Sequence, residues 1–190
     1  TSGVYIYGAQ FEAGSYPTSY IQSEAGGTVS RVADAITGAG DATLFSSVNS
    51  SGVLFAEIAA LSDDGTDRDI TLSSGNSANF ARIRISATTG NIGYNIVVGG
   101  STQALILLAG YTQTDAHKIA VRWAVNDFSL WIDGSEVSTD VSGSVFGASA
   151  LTTLNFSDYN GTSNRFFGNA KTVAVYNYLT DAQMISLTTP

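Results

Sequence analysis

HKIAVRWAVNDFSLWIDGSEV, His117–Val137, decides the fold class. Apolar and polar residues alternate on both sides of an Asn-Asp pair, which is the period of a strand with one buried face. A two-residue turn at Asn126 and Asp127 predicts a hairpin that sets Val125 against Phe128, Trp123 against Leu130 and Val121 against Ile132. These pairs are assigned to the core. The same register places Arg122 across from Trp131 on the opposite face, where both are expected to be exposed. Gly134 then supplies a second tight turn.

Outward from this hairpin, the same alternation recurs in VLFAEIAAL (Val53–Leu61), FARIRIS (Phe80–Ser86), GYNIVV (Gly93–Val98), ALILL (Ala104–Leu108) and KTVAVYNYL (Lys171–Leu179). Short strands separated by frequent turns predict an all-β chain, a two-sheet antiparallel β-sandwich. In RIRISATTGNIGYNIVV a loop at Thr89 and Gly90 would pair Ile85 with Tyr94 and Ile83 with Ile96, leaving Arg84 opposite Asn95 on the outer face. Ile83, Ile85, Val121, Trp123, Val125, Leu130 and Ile132 form the expected core. Only Thr180–Leu187 reads as helical, with Thr180 and Gln183 spaced as a capping box and Met184 and Leu187 on one face.

Bulk composition narrows the partners. The chain has 190 residues, 44% of them hydrophobic and 13% charged, enough apolar material for one sizeable core. A formal charge of −8, with eight Lys and Arg in total, argues against nucleic acid and against anionic membrane surfaces. No apolar run approaches the length of a membrane-spanning helix, so no membrane insertion is expected. The absence of Cys removes disulfides and thiolate chemistry. The first residue is Thr1, from which the chain is expected to be part of a longer polypeptide.

Three segments together resemble a known family: IYGAQFEAGSYPTSYIQSEAGGTVSRVAD near the start, the central hairpin HKIAVRWAVNDFSLWIDGSEV, and FFGNAKTVAVYNYLTDAQMISLTT at the end. The chain is similar to the concanavalin A-like (laminin G-like) lectin domains of bacteriophage tail and tail-fibre proteins. The resemblance implies a concanavalin A-like jelly roll over 28–190, preceded by a strand and junction, 1–27, that closes an upstream module. It also implies a sugar-binding architecture in a virion tail facing the host surface, with a polysaccharide or cell-surface glycan as partner and homo-oligomerisation within a fibre. The sugar is left open, because relatives differ in their loops.

Catalytic signatures are missing from the residues. Retaining glucanases on related sandwiches need two carboxylates about 5 Å apart, from alternate positions of one strand. Here Glu57 stands alone in FAEIAAL, and His117 has no Ser nucleophile motif to serve. No enzymatic activity is expected. The turn SDDGTDRD carries Asp63, Asp64, Asp67 and Asp69, oxygen ligands suited to Ca²⁺, but the spacing does not match an EF-hand loop and a solvated charged turn is the preferred reading, with Ca²⁺ the minor alternative.

Sugars are commonly held by an exposed ring under the apolar face of a pyranose, with amides and charged groups on its hydroxyls. The candidates for ligand binding are Trp131 with Arg122, Arg84 with Asn95, and the loop SDYNGTSNR with Asp158, Tyr159 and Asn160. For Trp131 and Arg122 a simple cross-strand cation–π pair covering the sheet is the alternative. A structural assembly domain and a glycan depolymerase are the rival functions.

Overall fold

Period-two alternation produces ten strands and one helix in the computed structural model, which describes residues 36–190. The chain divides into two units between Asp34 and Ala35. The expected junction, 1–27, and the first residues of the expected sandwich, 28–35, lie outside the described residues.

The strands are β1 (Gly52–Ala60), β2 (Arg68–Ser73), β3 (Phe80–Ile85), β4 (Ile92–Val98), β5 (Ser101–Leu108), β6 (His117–Ala124), β7 (Asp127–Ile132), β8 (Ser135–Asp140), β9 (Thr153–Asn155) and β10 (Gly168–Asn177). They form two five-stranded antiparallel sheets, ordered β10-β1-β6-β7-β8 and β5-β4-β3-β2-β9. This is the expected β-sandwich of jelly-roll type. Strands β2 to β5 and β6 to β8 run as meanders, because short turns can connect only antiparallel neighbours. Among the described residues no helix is long and apolar enough to cross a membrane.

The core lies between the sheets. Leu54, Ile58, Ile119, Val121, Trp123 and Leu130 from one inner face meet Ile70, Leu72, Ile83, Ile85, Tyr94 and Ile96 from the other. Trp123 is wholly buried, and its Nε1 donates to Val48 O at 2.8 Å, which satisfies the one polar atom it brings inside.

Both expected hairpins exist, each with its register displaced by two residues. In the second, the loop is Val125–Asn126 with Asn126 at φ 56°, so Trp123 opposes Phe128, Val121 opposes Leu130 and Arg122 opposes Ser129. Asn126 tolerates the left-handed region better than most residues, while Asp127 is held in the strand by Arg122 and Tyr178. In the first, the loop spans 87–90, so Ile85 meets Ile92, Ile83 meets Tyr94, Arg84 meets Gly93 and Asn95 meets Arg82. A shift of two leaves every side chain on its face and changes only its partner. The exception is Val125: expected in the core, it sits in the loop and is 61% exposed.

Helix α1, Asp181–Thr188, closes the chain as expected, with Gln183 Oε1 accepting from Thr180 N at 2.9 Å. It packs Met184 and Leu187 on the outer face of the β10-β1-β6-β7-β8 sheet. Among the described residues, no helix lies on the outer face of the other sheet.

Candidate functional site

The helix decides the fate of the first pair of candidates. Trp131 is on the outer face, as its parity requires, yet it is only 3% exposed. It lies in a second apolar cluster with Val53, Phe55, Ala120 and Met184, and its Nε1 donates to Ser129 Oγ at 3.0 Å. A ring covered in this way offers no stacking surface, so the expectation of an exposed Trp131 platform is corrected. Arg122 is likewise buried, at 4% exposure. It donates to Asp181 Oδ1 at 2.6 Å, to Asp127 Oδ1 at 3.1 Å and to Leu179 O at 3.3 Å, and it lies over the Tyr178 ring, 5.3 Å from its centre. It pins the start of α1 to the sheet and makes no cation–π pair with Trp131.

The remaining candidates come together on the outer face of the other sheet. Register builds it as rows running across the strands: Asp69–Arg84–Gly93–Leu107, then Thr71–Arg82–Asn95–Leu105, then Ser73–Phe80–Val97. Each row therefore starts on a polar residue of β2 and ends on an apolar residue of β4 or β5. Leu105 and Leu107 are 61% and 45% exposed. Between them and the arginines, Gly93 leaves a dip, which Leu107 overhangs so closely that a Cβ on Gly93 would come within 2.8 Å of its Cδ2.

The loop after β9 walls off the β2 side. Thr71 Oγ1 donates to Ser157 O and Ser73 Oγ to Tyr159 O, both at 2.7 Å, and the Tyr159 ring stacks on Phe80 with centres 5.3 Å apart. Asp158 is buried, and its Oδ1 accepts from Thr162 N; Asn160 Oδ1 accepts from the same N–H and from Thr162 Oγ1, shaping the loop tip. Asp158 and Tyr159 thus share a face with Arg84 and Asn95, and none of them lies near Trp131's side of the sandwich.

Asp69 organises the charges. It has no exposed surface, and it accepts from Arg84 Nε at 2.7 Å and Nη2 at 2.8 Å, from Arg82 Nη1 at 3.3 Å and from Asn164 Nδ2 at 3.0 Å. Arg84 Nη1 also reaches Asp67 Oδ2 at 2.6 Å. Burial opposes the charged form of Arg84, yet its hydrogen bonds and the charges of Asp69 and Asp67 raise its pKa. Arg82 behaves oppositely: burial lowers its pKa, and Asp69 only partly compensates. Its Nε and the facing Asn95 Oδ1 are buried without a hydrogen-bond partner. Each such atom costs about 1–3 kcal/mol in the folded chain.

The acidic turn is spent on local structure. Asp64 Oδ1 accepts from Thr66 Oγ1 at 2.6 Å and from Arg68 Nη2 at 2.7 Å, and the Thr66 bond leads in drawing its pKa down to about 2. Asp67 accepts from Ala87 N and Asp63 from Thr89 Oγ1. Asp69, read from sequence as part of the turn, is a residue of β2. Among the described residues, no group of three or more His, Cys, Asp or Glu is placed to hold a metal ion. Glu57 is paired with Lys171 at 2.8 Å, and His117 Nδ1 lies 2.6 Å from Asp133 Oδ2.

A second concavity, of about 520 Å³, runs beside β10 and is lined by Leu44, Phe45, Leu154, Val173, Val175 and Tyr176 among others. It is mostly apolar and lies beside β10, the edge strand of its sheet among the described residues.

Sequence reasoning missed Phe80, Arg82, Gly93, Leu105 and Leu107. A signal existed for the leucines: ALILL is apolar at both parities, whereas neighbouring strands alternate, so one of its faces had to be an apolar surface.

No protein-family model matches the chain, and no curated protein is similar to it in sequence. Solved structures are similar in fold. The CBM40 of the Ruminococcus gnavus IT-sialidase, bound to α2,3-sialyllactose, superposes with a TM-score of 0.64 at 14% identity, over 83% of this chain and 97% of that one. The leech intramolecular trans-sialidase gives 0.56 at 16% identity, over 76% of this chain and 24% of that one. A pentraxin of Limulus polyphemus gives 0.52 at 14% identity, over 72% and 68% respectively.

Proposed function

We propose that this chain is a non-catalytic carbohydrate-binding module that holds a glycan on the outer face of the β5-β4-β3-β2-β9 sheet, within a phage tail or tail-fibre protein. The observation that carries it is the row Arg82–Asn95–Leu105, where two unpartnered polar atoms stand beside an exposed apolar shelf. Sugars need both kinds of surface. The fold supports the reading, since a similar module has been solved with sialyllactose, and the resemblance of the sequence to phage lectin domains supplies the setting. Affinity per site would be low, and several copies in a fibre would raise it.

A glycan array on the protein, followed by calorimetry with the best sugar, tests the proposal. Leu105→Asp with Leu107→Asp should abolish binding while the melting temperature stays within a few degrees of wild type. Binding that survives in the folded double variant would remove the site from this face.

The apolar groove beside β10 favours a second reading, an assembly domain whose open strand edge receives a neighbouring subunit. Oligomeric state measured with and without Val173→Lys distinguishes it. A depolymerase has less support: Glu57 is ion-paired with Lys171 on the other sheet, away from the proposed face.

A further inference from the structure

We infer that the glycan read by this face is neutral, and that one of its hydroxyl groups bridges Arg82 Nε and Asn95 Oδ1. The inference rests on the carbohydrate-binding reading above and narrows it to a ligand class. Its starting point is the character of the two atoms. Their residues are directly paired across β3 and β4, and both atoms lack a partner. One is a donor and the other an acceptor. A hydroxyl accepts with a lone pair and donates its proton, so it satisfies both at once. A carboxylate or sulfate only accepts, and would set its charge against the Asn95 oxygen.

Charge around the site points the same way. All three nitrogens of Arg84 are engaged by carboxylates, Nε and Nη2 by Asp69 and Nη1 by Asp67, so its charge is already compensated. Arg82 already gives Nη1 to Asp69. Two arginines, Arg82 and Arg84, stand with three aspartates, Asp67, Asp69 and Asp158, which leaves one negative charge in excess where an acidic sugar would have to dock. The chain as a whole carries −8. An anionic glycan would meet repulsion at long range and, at short range among the described residues of this face, guanidinium groups already paired with Asp69 and Asp67.

Geometry sets how the sugar enters. Both atoms lie just below the surface, so the Asn95 carboxamide must turn about its terminal torsion, a broad and shallow well, to admit the hydroxyl. Leu105, the next residue of the same row, and Leu107 beyond it give the apolar face of the ring a surface to rest on. The buried donor and acceptor then discriminate in a further way. A deoxy sugar lacking the bridging hydroxyl would leave both without partners, which selects against it more strongly than an apolar pocket could.

The test compares neutral probes (lactose, maltotriose, cellotriose, laminaritriose) with acidic ones (3′-sialyllactose, trigalacturonate) by calorimetry on the whole chain, first at low salt and then at 0.15 M. At least one neutral probe should bind about tenfold or more tightly than either acidic one, with an affinity insensitive to salt. Asn95→Leu and Arg82→Gln should each weaken that probe by about tenfold or more, with melting temperatures recorded for both. An acidic probe that binds more tightly, and is lost in the Leu105→Asp, Leu107→Asp variant, overturns the ligand class while leaving the site in place. Neutral binding unchanged in folded Asn95→Leu overturns the bridging hydroxyl. No binding by any probe overturns the carbohydrate reading itself.

Discussion

The two outer faces of this sandwich began with the same kind of sequence and ended with opposite roles. On both, period-two alternation puts an arginine and a large or amide side chain away from the core: Arg122 and Trp131 on one, Arg84 and Asn95 on the other. Helix α1 lies across the first and turns Trp131 into the centre of a second core. Among the described residues the second has a loop along one side and no helix, and its rows still end in open leucines. A strand's parity tells which face a residue is on, and a distant segment tells whether that face is a surface.

The contrast breaks most visibly at Trp131. Trp131→Ala, read by urea unfolding, should cost about 3–5 kcal/mol, the range for deleting a buried aromatic, where a surface tryptophan would cost little. Asp69→Ala comes next. It leaves Arg84 and Arg82 under the loop without their carboxylate, and should cost about 3 kcal/mol, the lower end for breaking a buried ion pair because Arg84 keeps some contact with solvent and with Asp67. Met184→Ala should cost about 2–3 kcal/mol and shift Trp131 fluorescence to the red, since it loosens the helix over the ring.

Leu105→Ser and Leu107→Ser sharpen the other side of the contrast. On the open face each should change stability by no more than about 0.5 kcal/mol, yet weaken glycan binding in calorimetry. The smallest effect concerns Asp64. Its folded pKa of about 2 lies below its ordinary 3.8, so the stability it adds is present above the ordinary value and lost as pH falls toward 2. In melting curves, wild type should lose its advantage over Asp64→Asn between about pH 4 and pH 2, and neither should differ in slope above that window.

Much of the fold was legible because it depends on alternation and turn chemistry. Seven of the ten strands followed from apolar alternation, and the helix followed from Thr180, Gln183, Met184 and Leu187. Strand β2 was hidden: RDITLS begins with two charged residues and reads as the end of an acidic turn, although Arg68 and Asp69 are both buried, Asp69 against Arg84 from the neighbouring strand and Arg68 against Asp64. The hairpin registers failed by two for a local reason, since the left-handed residue Asn126 is the last of its loop and not the first. The site was half legible. Arg84, Asn95, Asp158 and Tyr159 were identified by residue type, but Arg82 and the leucines enter through the register that makes them neighbours, and Trp131 leaves because of a helix more than 45 residues away in sequence.

Gly93 carries a consequence for how such a surface can change through descent. Its backbone runs so close to Ile106 O that any Cβ would drive β4 and β5 apart, although its φ lies outside the left-handed region. The position is frozen by its neighbour's main chain, whereas Leu105 and Leu107, which extend into open space, are free to vary. A lineage of such domains can therefore exchange the shelf residues repeatedly while inheriting an invariant glycine. A mutational library confined to Leu105, Leu107 and Asn95 would explore the same route in the laboratory without touching the scaffold.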